Sequence, residues 1–76
     1  MWIRSQTKMS LINAKVLTIE PISNRYLITP VVNVLADGQI VAEYDTIEEA
    51  IRVLDALTTA VATSVVAADM PQKGEL

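Results

Sequence analysis

VVNVLADGQIVAEYDTIEEAIRVLDAL, residues 31–57, reads as a β-hairpin that runs directly into an amphipathic helix, and the remainder of the chain is arranged around it. The hairpin rests on Asp37-Gly38, because a two-residue type I′ turn needs positive φ at both central positions and Asp followed by Gly reaches that readily. Counting outward from the turn pairs Ala36 with Gln39, Leu35 with Ile40, Val34 with Val41, Asn33 with Ala42, Val32 with Glu43 and Val31 with Tyr44. Opposite residues share a face. One face then gathers Val31, Leu35, Ile40, Ala42 and Tyr44 around Asn33, and the other carries Val32, Val34 and Val41 with Glu43 at its end. Both faces are apolar near the turn, so part of the second face is expected to be covered as well.

The helix begins at Thr46, which stands three residues before Glu49 in capping-box spacing; Asp45 and Glu48 repeat the arrangement one residue earlier. Acids in the first turn suit the positive end of the helix dipole. Ile47, Ala50, Ile51, Leu54, Leu57 and Val61 recur at three- and four-residue steps, predicting one apolar stripe against the sheet. Glu48, Glu49, Arg52 and Asp55 fall on the opposite side.

Working toward the N-terminus, Trp2-Ile3-Arg4-Ser5 predicts a short strand and Gln6 to Ser10 a polar turn or loop. Leu11 to Ile22 predicts a second extended segment, strongest from Ala14 to Glu20, which Pro21 ends or confines to a sheet edge. Ser23-Asn24-Arg25 has the composition of a turn, Tyr26 to Thr29 that of a third strand, and Pro30 should kink the chain before Val31. Beyond the hairpin and helix start, Ala56 to Ala68 carries no charge and predicts continued helix, with a strand or a frayed tail as the alternatives; as helix it is small on nearly every side and suited to packing against another copy. Residues 69–76 are polar, contain Pro71 and Gly74, and are expected to be a disordered tail.

The fold expected from these pieces is α+β: an antiparallel sheet of about four strands in meander order, followed by one long C-terminal helix. Residues 1–68 form its single domain.

Composition narrows the chemistry. The 76 residues contain no cysteine and no histidine, so disulfides, thiolate or imidazole metal ligands and the common nucleophile–base pairs cannot be built. Gly38 and Gly74 are the only glycines, which excludes a glycine-rich phosphate loop. Lys8 lies near Ser5 and Ser10, and the carboxylates Glu43, Asp45, Glu48 and Glu49 are close in sequence. A solvated loop and helix capping account for both groups, so no catalytic residue, metal or cofactor is assigned. Trp2 and Tyr44 are expected as core anchors.

Hydrophobic residues make up 51% of the chain and mean hydropathy is +0.36. A domain this small cannot bury that much apolar surface by itself, which makes self-association the economical reading. The expected interface uses Leu57, Val61 and Val65, joined by Val32, Val34 and Val41 of the hairpin. Charge is divided: residues 1–30 hold Arg4, Lys8, Lys15 and Arg25 against Glu20 alone, while residues 31–76 hold Arg52 and Lys73 against eight acids. Those four N-terminal cations are the candidate nucleic-acid contacts, although the net charge of −3 opposes that role. The uncharged run Ala56 to Ala68 is too short and too polar to span a bilayer, and no basic and apolar leader opens the chain, so a cytoplasmic location is expected.

The opening WIRSQ (residues 2–6) and the passage EYDTIEEAIRVLDAL (residues 43–57) resemble a group of short uncharacterised proteins of Gram-positive bacteria and their phages. These open with aromatic-I-R-S-Q and close with a YxTxEEAxxVL-like strand-to-helix passage. Thr7, where that pattern has an acid, and the Thr/Ala/Val-rich stretch beyond Leu57 depart from it. The resemblance implies strands followed by helix and a phage or mobile-element context, and it implies no activity. The expected function is a non-enzymatic, homo-oligomeric interaction protein. The alternatives are a small nucleic-acid-binding regulator and an acidic decoy that occupies a host protein through the Glu43 to Asp55 face.

Overall fold

A computed structural model describes residues 1–22, 31–62 and 67–75; of Val61 and Ala62 it describes the backbone alone. In chain order the elements are β1 (Trp2–Arg4), β2 (Leu11–Asn13), β3 (Leu17–Ile22), β4 (Val31–Ala36), β5 (Gln39–Tyr44), α1 (Ile47–Ala62) and β6 (Ala67–Asp69). The fold is α+β, as the sequence suggests, but among the described residues it contains two three-stranded sheets, ordered β2-β1-β6 and β3-β4-β5. The helix is also not the last element: β6 follows it and pairs with β1 in parallel. A parallel pair needs a long crossover, and everything from β2 to α1 supplies one.

The hairpin turn forms as expected, with φ of 49° at Asp37 and 85° at Gly38. Its register holds for Ala36–Gln39 and Leu35–Ile40 and then shifts, so that Val34 pairs with Ala42, Asn33 with Glu43 and Val32 with Tyr44. Val41 is the extra residue of a β-bulge. A regular strand points successive side chains to opposite faces; the bulge allows both Val41 and Ala42 to be buried. The Val41 carbonyl accepts a hydrogen bond from the Gln6 backbone N–H, at 2.8 Å. The inner face therefore holds Val32, Val34, Ala36, Val41, Ala42 and Tyr44. Val31, Asn33 and Leu35 are only half-buried, and Ile40 and Glu43 are exposed.

This corrects the expected interface. Val32, Val34 and Val41 are core residues of the single chain, as is Leu57, and they offer no surface to a second copy. The Val61 side chain and Val65 lie outside the described residues.

Asp37 also divides what the sequence presents as one extended segment from Leu11 to Ile22. Its carboxylate accepts hydrogen bonds from the backbone N–H groups of Lys15 and Val16, at 3.0 and 2.8 Å, while its own N–H donates to the Val16 carbonyl at 2.9 Å. With those groups taken, residues 14–16 become a connector, and β2 and β3 enter different sheets. Pro21 sits in β3, an edge strand, as proline requires. The turn at Ser23 to Arg25, the strand at Tyr26 to Thr29 and the kink at Pro30 fall outside the described residues.

At the helix start Thr46 Oγ1 accepts from the Glu49 N–H at 3.1 Å. The buried stripe is rotated from the expected one: Ala50, Val53 and Leu57 are inside and Leu54 is marginal, whereas Ile47 and Ile51 are exposed. Ala50, Val53 and Leu57 share one side of the helix, and burying that side leaves Ile47 and Ile51 toward solvent.

Residues 69–75 are packed rather than forming a free tail. Met70 is buried, and its N–H donates to the Arg4 carbonyl at 2.9 Å. Met70, Tyr44, Ile3, Val34 and Val53 are the largest fully buried side chains, each contributing about 1.5–3 kcal/mol.

Candidate functional site

β1 sorts its three residues between two environments. Ile3 faces inward with its register partners Ile12 and Ala68. Trp2 and Arg4 face outward, Trp2 beside Asn13 and Ala67, Arg4 beside Leu11 and Asp69. Nothing covers this outer face among the described residues: Trp2 is 41% exposed, which corrects its expected core role, and Leu11 is 60% exposed.

The β1–β2 loop forms one rim. Lys8 adopts φ of 65°, its N–H donates to the Ser5 carbonyl, and the Ser5 N–H donates to the Ser10 carbonyl, both at 2.9 Å. Ser5 is buried, its hydroxyl lying 2.9 Å from that of Thr7 and accepting from the Ser10 N–H at 3.3 Å. This tight loop projects Met9, which is 87% exposed. Together the loop and the sheet face enclose an open cleft of about 500 Å³, lined by Arg4, Met9, Leu11 and the β6 strand. Across it Lys8 and Asp69 form an ion pair at 3.4 Å, and Arg4 Nε donates to the Lys8 carbonyl at 3.4 Å.

The site thus combines large apolar groups with charges of both signs. The Lys8 ammonium is directed to Asp69, and the Ser5 hydroxyl to Thr7 and Ser10. No three Asp or Glu side chains among the described residues converge as a metal-ligand set.

Of the four cations suggested for nucleic acid, Arg4, Lys8 and Lys15 fall among the described residues. Arg4 and Lys8 share the cleft, Lys15 lies at the Asp37 turn, and Arg25 is outside the described residues. The acidic Glu43 to Asp55 face is partly occupied: Lys73 pairs with Asp45 at 3.1 Å and Glu43 at 3.7 Å, and Glu49 is buried. The Asp45 hydrogen bond is the main cause holding the Lys73 ammonium above the usual lysine range.

A second cluster centres on Gln6. Its side chain donates to the Glu43 carbonyl and accepts from the Glu43 N–H, at 3.2 and 2.7 Å, so it caps β5 as a further strand would. It also donates to the Pro71 carbonyl at 2.8 Å, and the Tyr44 hydroxyl donates to the same oxygen at 2.7 Å. Burial first, and then the charge of Glu49, pushes the Tyr44 phenol up to about 12. The Glu49 carboxylate accepts from the Gly74 N–H at 2.7 Å. Gln6 closes the WIRSQ opening, and that position was its one distinguishing mark in the sequence.

No helix among the described residues is long and apolar enough to cross a membrane. No protein-family model matches the chain, and neither a curated protein nor a solved structure matches it.

Proposed function

We propose that the protein is a non-enzymatic interaction protein that works as a homo-oligomer, its copies meeting through the outer face of the β2-β1-β6 sheet. The observation that carries this reading is the grouping of Trp2 and Leu11 on one sheet face with Met9 at its rim, all exposed in a chain with a small core. Large exposed apolar side chains beside polar and charged ones are the composition of an interface centre and its margin. A second copy is the fitting partner because Arg4 and Lys8 stand beside Asp69. A surface carrying both signs can oppose itself across a twofold axis with unlike charges facing. The phage or mobile-element context is supported by the WIRSQ and YDTIEEAIRVL passages.

The test is solution mass by light scattering over a range of concentrations, for the native chain and for Trp2→Glu/Leu11→Glu. The native chain should form a dimer or larger species, and the variant should fall to the 8.3 kDa monomer with its circular dichroism unchanged. An unaltered assembly state in a folded variant would rule this face out.

A further inference from the structure

The body of the protein holds residues 67–75 much as a receptor holds an extended peptide. β6 is added to the edge of β1 through backbone pairing. Beyond it, the groups recognised are largely main-chain: the Met70 N–H by the Arg4 carbonyl, the Pro71 carbonyl by Gln6 and Tyr44, and the Gly74 N–H by Glu49. Gln72 returns a side-chain hydrogen bond to the Gln6 carbonyl at 2.8 Å. The Met70 side chain fills a pocket, being 1% exposed, and Lys73 reaches Asp45 and Glu43. Strand addition with one anchored side chain and main-chain hydrogen bonds is a general mode of peptide recognition.

We infer that residues 67–75 form an exchangeable strap, and that a second copy's strap docks in the same groove to give a reciprocally exchanged dimer. The partner is specified by the chemistry: the groove already fits this segment, with Met70 in its pocket and the Lys73 cation beside two carboxylates. Each contact made within one chain recurs between two, so concentration and the connection to α1 set the balance. Each copy's Gln6, Tyr44 and Glu49 groove is then completed by its partner. This inference deepens the homo-oligomer reading, and it can fail separately from the outer-face interface.

The test exploits the absence of cysteine. Ile3 and Ala68 are register partners on the inward rung of β1 and β6, out of reach of a copy on the outer face, and paired Cα atoms suit a disulfide. Ile3→Cys/Ala68→Cys is refolded reduced at low and high concentration, oxidised, and run on a non-reducing gel. Strap exchange predicts a species of doubled mass that grows with refolding concentration and collapses to monomer on reduction. Intrachain disulfide alone at every concentration would overturn the exchange. If scattering still shows a dimer in that case, the outer-face reading survives. A linked dimer that persists with Trp2→Glu/Leu11→Glu added would retain the exchange and discard the face. Should the cysteine pair not fold, native isotope-labelled and unlabelled chains are refolded together. Magnetisation transfer between Ile3 of one copy and Ala68 of another then reports exchange directly, because Ile3 is fully buried, and its absence in a dimer excludes it.

Discussion

The two sheets use similar residues to opposite ends. In β3-β4-β5 the strands are six residues long, the inner face packs against α1, and the β5 edge is occupied by Gln6. In β2-β1-β6 the strands are three residues long, a single inward rung of Ile12, Ile3 and Ala68 joins the core, and the outer face holds Trp2 and Leu11 against solvent. The longer sheet concentrates stability, whereas the shorter one presents surface. The strap joins them, lying beside β1 at one end and on Tyr44 at the other.

That division is exposed most sharply at Tyr44. Tyr44→Ala removes a fully buried ring and one of the strap's anchors, and should cost about 3–5 kcal/mol in denaturant unfolding. A loss no larger than for an exposed site would mean that the longer sheet does not carry the core.

Next in size is Asp37→Ala, which leaves the Lys15 and Val16 N–H groups without their carboxylate and frees the β2–β3 connector. A loss of about 1–3 kcal/mol is expected, with faster amide exchange at those two residues. Unchanged exchange there would contradict the pinning role.

An alkaline limb should follow from the Tyr44 phenol, whose value is about 12 in the fold against 10.0 ordinarily. Because the folded value is the higher one, the stability it contributes is fully present below pH 10. It is lost as pH rises toward 12. Tyr44→Phe should flatten stability across that window, and an equally steep fall in the Phe variant would assign the limb elsewhere.

The smallest stability effect belongs to the short sheet. Leu11→Ser, on the open face, should change monomer stability by no more than about 0.5 kcal/mol while weakening association. A large loss of monomer stability would show that this face is core after all.

What could be read in the sequence was local. Asp37-Gly38, the Thr46 cap and the edge position of Pro21 each follow from the chemistry of one or two residues, and each stands in the structure. The missed features depend on distant partners. The bulge at Val41 is tied to the Gln6 N–H, the break after Asn13 to the Asp37 carboxylate, and β6 to a strand at the other end of the chain. The helix stripe was ambiguous, because Ile47 and Ile51 satisfy the period as well as Ala50, Val53 and Leu57 do; packing chose the set with the smaller residue at the contact. For the candidate site, Arg4 and Lys8 were singled out as cations, but their neighbours Met9, Leu11 and Asp69 carried no signal until β1, β2 and β6 brought them together.

Trp2 is the sole tryptophan, and it lies on the proposed interface, so its fluorescence reports directly whether copies meet there. The measurement is its emission maximum and its quenching by acrylamide, followed as the native protein is concentrated. Copies meeting through the β2-β1-β6 face predict a blue shift and falling quencher access, in step with the rise in scattering mass. Emission that stays red-shifted and freely quenched while the mass rises would place the interface elsewhere. The same emission with a constant monomer mass would contradict self-association itself.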